Sequence, residues 1–409
     1  MKNILIKKKA TENMCIHMLA LMLNFPMLYE LYIILYENEI CKVNSFPPIS
    51  SVYINIFFVC ISVILIIKSK HSLWFIKWGA IYGVLLLISC FMHKELLRYV
   101  PRAIIYFLCC VLCIAGLFRQ ISNASELLHT LEKYIPVSLV YAVFKYIYFD
   151  KLEIYDMGYT YHIAIPLLVI LVKLFYEKKT FLRILSLGIL ILVNFKYGSR
   201  GCYVYCFVAI LLIYFSLPLK ERLLTFLMTL IIIFGINLVW NALIGFLVLK
   251  FPDSRNVRLL ASGLIFYSAG RENIYYSLIK EFMNNPLHFR GIFSDRFLVA
   301  RYYGKLNTDD IWGCYAHNIF IEMIYQYGII VVPFIIGYIK KIVIIYRHMC
   351  YEIVEDKDKR ILFIIFVSFA LAQLSISSSY LIASSFGGLV GVIYMCNTKS
   401  SIKKTTIKS

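Results

Sequence analysis

Charge is what this sequence has least of. Of its 409 residues 16% are charged and 61% hydrophobic, and 23 acidic side chains stand beside 42 lysines and arginines. Soluble domains usually carry about a quarter charged and about half apolar residues, so an ordinary globular chain is excluded. The mean hydropathy is +0.77. Apolar runs of spanning length, roughly 17–25 residues, recur from end to end. The expectation is an all-α, polytopic integral membrane protein embedded in a lipid bilayer.

Other absences narrow the reading. A net charge of +19 would point to nucleic acid in a soluble protein. Here the cations sit in short links between apolar runs, where topology accounts for them, and no nucleic-acid partner is expected. The 12 cysteines lie mostly inside apolar runs, so no disulfide framework is implied. Cys110 and Cys113 have Cys-x-x-Cys spacing, but at bilayer depth they read as small packing residues. No small-residue cleavage site follows the lysine-rich start, and the first run holds Pro26 and Glu30, which marks a retained helix rather than a signal peptide. No soluble domain, low-complexity linker or internal repeat stands out. The paired broken segments of an inverted-repeat transporter are missing as well.

What is present is a string of about twelve expected spans, at 14–36, 49–67, 72–92, 101–118, 134–149, 159–176, 181–196, 201–217, 222–249, 318–339, 361–378 and 380–396. Lys2, Lys7, Lys8 and Lys9 place the N-terminus inside, and the basic links at Lys68/Lys70, Lys178/Lys179/Arg183 and Lys340/Lys341/Arg347 agree. Only the link from His93 to Arg102, with Lys94, Arg98 and Arg102, runs against the pattern. The chain then divides into helices one to nine (1–249), an extracytoplasmic loop with short helices (250–317), helices ten to twelve (318–396) and a cytoplasmic tail (397–409). A long outer loop is exempt from the positive-inside rule, so its arginines need another explanation. On that side there is neither ATP nor a nucleotide sugar.

Three groups of residues at the outer face carry candidate chemistry. In Tyr197-Gly198-Ser199-Arg200-Gly201 the glycines permit a tight turn, and the Arg200 guanidinium suits either phosphate oxygens or lipid headgroups. In Gly270-Arg271-Glu272-Asn273 an amphipathic helix begins, with Ile274, Leu278 and Phe282 four residues apart and Asn284-Asn285-Pro286 at its end. Arg271 at that N-terminus suits an anion or a solvated surface helix on the bilayer. Arg255 and Arg258 are further candidate phosphate contacts. The third group is His317, followed by Asn318, Glu322 and Gln326, which form one polar stripe entering the tenth span. A neutral His317 there can take a proton from a hydroxyl, or simply cap the helix start. Asp309-Asp310 reads as a solvated pair.

Gly198-Ser199-Arg200-Gly201, Gly270-Arg271-Glu272 with Asn285-Pro286-Leu287 and Gly291, and His317-Asn318-Ile319-Phe320-Ile321-Glu322 with Gly328 together resemble the O-antigen polymerase and O-antigen ligase superfamily, over residues 185–345. The amino-terminal half matches only as a string of spans. The resemblance implies a metal-independent, cofactor-free inverting glycosyltransferase whose donor is an undecaprenyl-diphosphate-linked oligosaccharide. It implies that Arg200 and Arg271 hold the diphosphate and His317 activates the acceptor hydroxyl, with Arg255, Arg258, Asn318 and Glu322 as substrate-binding candidates. A chain-length regulator is the protein partner it suggests. Polymerase is the leading expectation, ligase the second, and a flippase for the same lipid the rival from another class.

Overall fold

The structure, a computed structural model, describes residues 2–37, 48–69, 71–149, 157–177, 180–252, 254–263, 271–305, 309–351 and 357–397. Gly270, most of the links 38–47 and 150–156, and the tail beyond 397 therefore lie outside the described residues, as do the side chains of Asp309 and Asp310. The described chain is helical, without a strand. That is what lipid demands, because a helix satisfies its own backbone polar groups. Among the described residues five helices are long and apolar enough to cross a membrane: Lys9–Glu37, Ser72–Met92, Lys94–Phe118, Ile329–Cys350 and Lys357–Ile376. Ser51–Ile67, Ala164–Tyr176 and Gly201–Ser216 are apolar but shorter. The chain is a helical membrane protein.

Lys357–Ile376 is the centre of the bundle. Its residues from Ile361 to Ala370 are buried on every side, the mark of a helix enclosed by others. Ser384–Asn397, Gly201–Ser216 and Ala164–Tyr176 pack round it. Close approach depends on small residues. A Cβ at Gly387 would lie 2.5 Å from the Cys110 carbonyl, and one at Gly391 would lie 2.5 Å from the Phe118 side chain.

Two expected spans are interrupted. The 318–339 run breaks at Gly328, whose φ of 70° is left-handed and whose Cβ, if added, would meet the Pro286 carbonyl at 2.7 Å. Ile319–Tyr327 is thus a separate nine-residue helix, and a new helix, Val332–Tyr351, follows after a short 3-10 turn. The 159–176 run divides into Met157–His162 and Ala164–Tyr176. Between the expected fourth and fifth spans lies a further helix, Ala124–Glu132, capped by the Asn123 side chain, which accepts from Glu126 N at 3.1 Å.

The 250–317 segment folds onto this bundle as Arg255–Ala261, Arg271–Asn284 and Ser294–Tyr302. The expected amphipathic helix is Arg271–Asn284, with Ile274 and Leu278 buried. Buried Arg290 closes its exit: Nη2 donates to the carbonyls of Glu281 (2.9 Å) and Asn285 (3.1 Å), and its backbone N–H donates to Gln326 O at 2.9 Å. Ile292 N donates to Ser89 Oγ at 2.8 Å, tying the segment to Ser72–Met92.

Candidate functional site

The site forms where the central helix ends. After Ile376 the chain unwinds through Ser377-Ser378-Ser379 before the next helix starts at Ser384. The end of a helix leaves carbonyls without intrahelical donors, and here three are met by side chains of Arg271, Tyr315 and Asn318, with Tyr161 bonded to the Ser377 hydroxyl beside them. Arg271 Nη1 donates to Ile376 O. Tyr315 Oη donates to Ser377 O at 2.6 Å, and Asn318 Nδ2 to Ser375 O at 3.4 Å. Tyr161 Oη donates to Ser377 Oγ at 2.5 Å. A cation at a helix C-terminus also opposes the negative end of the helix dipole.

His317 sits against this end in a left-handed backbone conformation, φ 56°. Such a conformation is uncommon for a residue with a side chain and is found concentrated at functional sites. Asn318 fixes the reversal by capping the next helix, its Oδ1 accepting from Phe320 N at 3.0 Å and Ile321 N at 3.2 Å. The His317 ring lies 4.1 Å from that of Tyr315. Burial, then the positive charge of Arg271 and, more weakly, of Arg296, push its pKa down to about 4, while a hydrogen bond from the ring to the Ser377 backbone opposes them. The imidazole is neutral at physiological pH, and Nδ1 is buried with no hydrogen-bond partner among the described residues.

Arg200 stands on a turn held from below. Ser199 N donates to Thr160 Oγ1 at 2.6 Å, and Thr160 Oγ1 donates to Asn194 Oδ1 at 2.7 Å. Asn256 Nδ2 donates to the carbonyls of Phe195 (3.1 Å) and Gly198 (2.9 Å), and Ser254 Oγ to Phe195 O at 2.9 Å. Arg255, between those two donors, therefore belongs beside the Arg200 turn, whereas Arg258 is exposed one helical turn further on. The Arg200 turn meets the His317 cluster through Tyr161: a Cβ on Gly201 would lie 2.5 Å from the same hydroxyl that bonds Ser377.

Glu322 lies under the cluster with 0% exposure. Its Oε1 accepts from Ser379 Oγ and from Gln326 Nε2 (3.4 Å), and Oε2 has no partner among the described residues. Gln326 Nε2 also donates to Asp295 Oδ1 at 2.7 Å, and Asp295 Oδ2 accepts from Ala316 N at 3.0 Å. Neighbouring Arg296 is 1% exposed, and none of its three nitrogens has a hydrogen-bond partner among the described residues. The rings of Trp312 (4.5 Å), Phe293 (5.0 Å) and Tyr315 (5.3 Å) enclose it, a cation–π arrangement suited to a desolvated guanidinium. Burial raises the Asp295 carboxyl above the usual carboxylate range, with Arg296 opposing.

Of the residues singled out from the sequence, His317, Arg271 and Asn318 meet at the unwound helix end. Arg200 lies on the adjoining turn, Arg255 opens the helix whose Ser254 and Asn256 hold that turn, Glu322 is enclosed, and Arg258 stands apart. Tyr161, Tyr315, Asp295, Arg296 and the Ser377–Ser379 backbone belong to the site but carry no motif. The one sequence signal for them was three consecutive serines at a span boundary. Matched against family models, curated proteins and solved structures, the chain finds no counterpart in any of the three.

Proposed function

We propose that this chain is an O-antigen or surface-polysaccharide polymerase of the bacterial cytoplasmic membrane, with about twelve spans, both termini cytoplasmic and the 250–317 segment outside. It joins repeat units carried on undecaprenyl diphosphate. The observation that carries the reading is the convergence of Arg271, His317 and Asn318 on one unwound helix end, with the Arg200 turn joined to it through Tyr161.

In the proposed step the acceptor hydroxyl oxygen attacks the anomeric carbon from the face opposite the diphosphate. The new glycosidic bond forms as the bond from carbon to diphosphate oxygen breaks, and configuration inverts. His317 takes the hydroxyl proton, and undecaprenyl diphosphate leaves with the electron pair. Arg200 and Arg271 stabilise the charge that grows on it, the kind of preorganised electrostatic help that accelerates such reactions. No nucleotide is consumed, because the lipid diphosphate is already an activated leaving group. A bound diphosphate would offset the two guanidinium groups and raise the basicity of His317 when the base is needed.

An O-antigen ligase uses the same donor chemistry and is the second reading. Gene deletion and complementation separate them on lipopolysaccharide gels. Loss of a polymerase leaves single repeat units on the core, and restoring the wild-type gene restores the ladder. A core with no glycan attached indicates the ligase, and an unchanged ladder rejects both.

A further inference from the structure

Next to the site the helices form a half-open cavity of about 440 Å³ that no part of the proposed machinery occupies. Its ceiling is shared with the site: Tyr161, Tyr315 and Ser377 line it, and these are the groups that support His317 and Arg271. The first helix supplies Tyr29 and Glu30 on another wall, with His162 and Gln373 nearby. A space left for a lipid chain would be walled by hydrocarbon alone, because polar groups facing acyl chains are costly. This one is walled mostly by apolar side chains, Leu23, Ile114 and Ile382 among them, but it also carries hydroxyl, carboxyl, imidazole and amide groups.

Gln373 sharpens the point. It lies in the last turn of the central helix, and its Oε1 is buried without a hydrogen-bond partner among the described residues. A buried carbonyl oxygen of this kind needs a donor. His162 Nδ1 is within 3.3 Å of Tyr141 Oη, and Glu30 stands 3.5 Å from Lys145 Nζ, so both side chains are oriented from behind. The volume falls inside the usual range of small-ligand sites, roughly 300–1,000 Å³, where apolar walls carry a few placed polar groups.

We propose that this cavity is a sugar subsite. It takes one pyranose ring of the glycan, with a ring hydroxyl donating to Gln373 Oε1 and accepting partners supplied by Tyr29, Glu30 and His162, beside the bond being formed at His317. The inference rests on the glycosyl-transfer reading for its role, but the binding itself is separately measurable.

Cys110 lines the cavity and is partly accessible, which gives a positional readout. Purified full-length protein in lipid nanodiscs is labelled with a small maleimide, and modification of Cys110 is followed by mass spectrometry. The probes are the oligosaccharide released by mild acid from the host's lipid-linked pool and, separately, undecaprenyl phosphate without sugar. The free oligosaccharide is expected to slow labelling, and Gln373→Leu to raise the half-protecting concentration about tenfold, as expected when a hydrogen bond to a buried acceptor is lost. Glu30→Gln, on the first helix, is expected to weaken protection in the same direction. Protection by undecaprenyl phosphate but not by the oligosaccharide overturns the proposal in favour of a lipid-chain site. Oligosaccharide protection untouched by either substitution overturns it as well. Protection that follows both substitutions in a protein unable to transfer sugar rejects the transfer reading and leaves the subsite standing. Transfer lost in Arg271→Ala but with unchanged KM in Gln373→Leu does the reverse.

Discussion

The protonation of His317 tests the electrostatics of the site most sharply. Its pKa is held near 4 against an ordinary 6.5, first by burial and then by Arg271, which amounts to roughly 3 kcal/mol against the imidazolium. Arg271→Gln removes the second cause and keeps the first. The pKa should rise, yet stay below 6.5, because burial remains. The rate of carbethoxylation at His317 by diethyl pyrocarbonate, followed by mass spectrometry as a function of pH, reads this without requiring activity. A wild-type midpoint at or above 6.5 would refute the reasoning, and so would an unchanged midpoint in Arg271→Gln. The stability consequence has a definite sign. A histidine whose folded pKa is depressed favours the folded state above its unfolded value and loses that contribution as pH falls from about 6.5 towards about 4. His317→Asn should flatten that acid limb in thermal melts of the detergent-solubilised protein.

Other perturbations follow from the same contacts. Arg296→Leu removes the positive charge that opposes the effect of burial on the Asp295 carboxyl, although no hydrogen bond joins the two side chains, and should lower the melting temperature. The double variant with Asp295→Asn should melt higher than additive losses predict, and strict additivity would show that the two do not interact. Asn256→Leu strands the carbonyls of Phe195 and Gly198, an expected loss of about 1–3 kcal/mol. Transfer should fall although the residue is buried, and normal kinetics would mean that the Arg200 turn does not need this support. Gly328→Ala forces a Cβ into both a left-handed backbone and the Pro286 carbonyl. It should lower the melting temperature more than Gly337→Ala, a site with nothing within 4 Å, and equal melts would contradict the strained geometry.

The helical, apolar character of the chain was legible because lipid imposes one rule, a long apolar helix, and Ser72–Met92 coincides with the segment read from composition. Where apolar runs were long enough but backbone geometry intervened, composition misled. Ile319–Tyr327 and the next helix read as one span because Gly328 between them costs little hydropathy. Ala124–Glu132 was passed over because nine residues do not make a span, although Asn123 and the spacing of Leu127, Leu128 and Leu131 signalled a capped amphipathic helix. The candidate polar residues were visible as types, and three of them, Arg271, His317 and Asn318, do meet. Their meeting place was not, because the contacts join residues more than fifty positions apart, such as Asn318 to Ser375 and Arg271 to Ile376. Asp295 and Arg296 carry no sequence signal of their own, and only the packing of Phe293, Trp312 and Tyr315 round the Arg296 guanidinium shows that it is enclosed.

The most direct measurement is sugar transfer in reconstituted membranes, with lipid-linked repeat units as the only substrate. The variants are Arg200→Ala, Arg271→Ala and His317→Ala, each first confirmed as folded by its melting curve. The wild type should yield extended glycan, and each variant should lose about a hundredfold or more in rate, the scale of removing a general base or one charge-stabilising group. Full activity in all three would contradict the proposed mechanism.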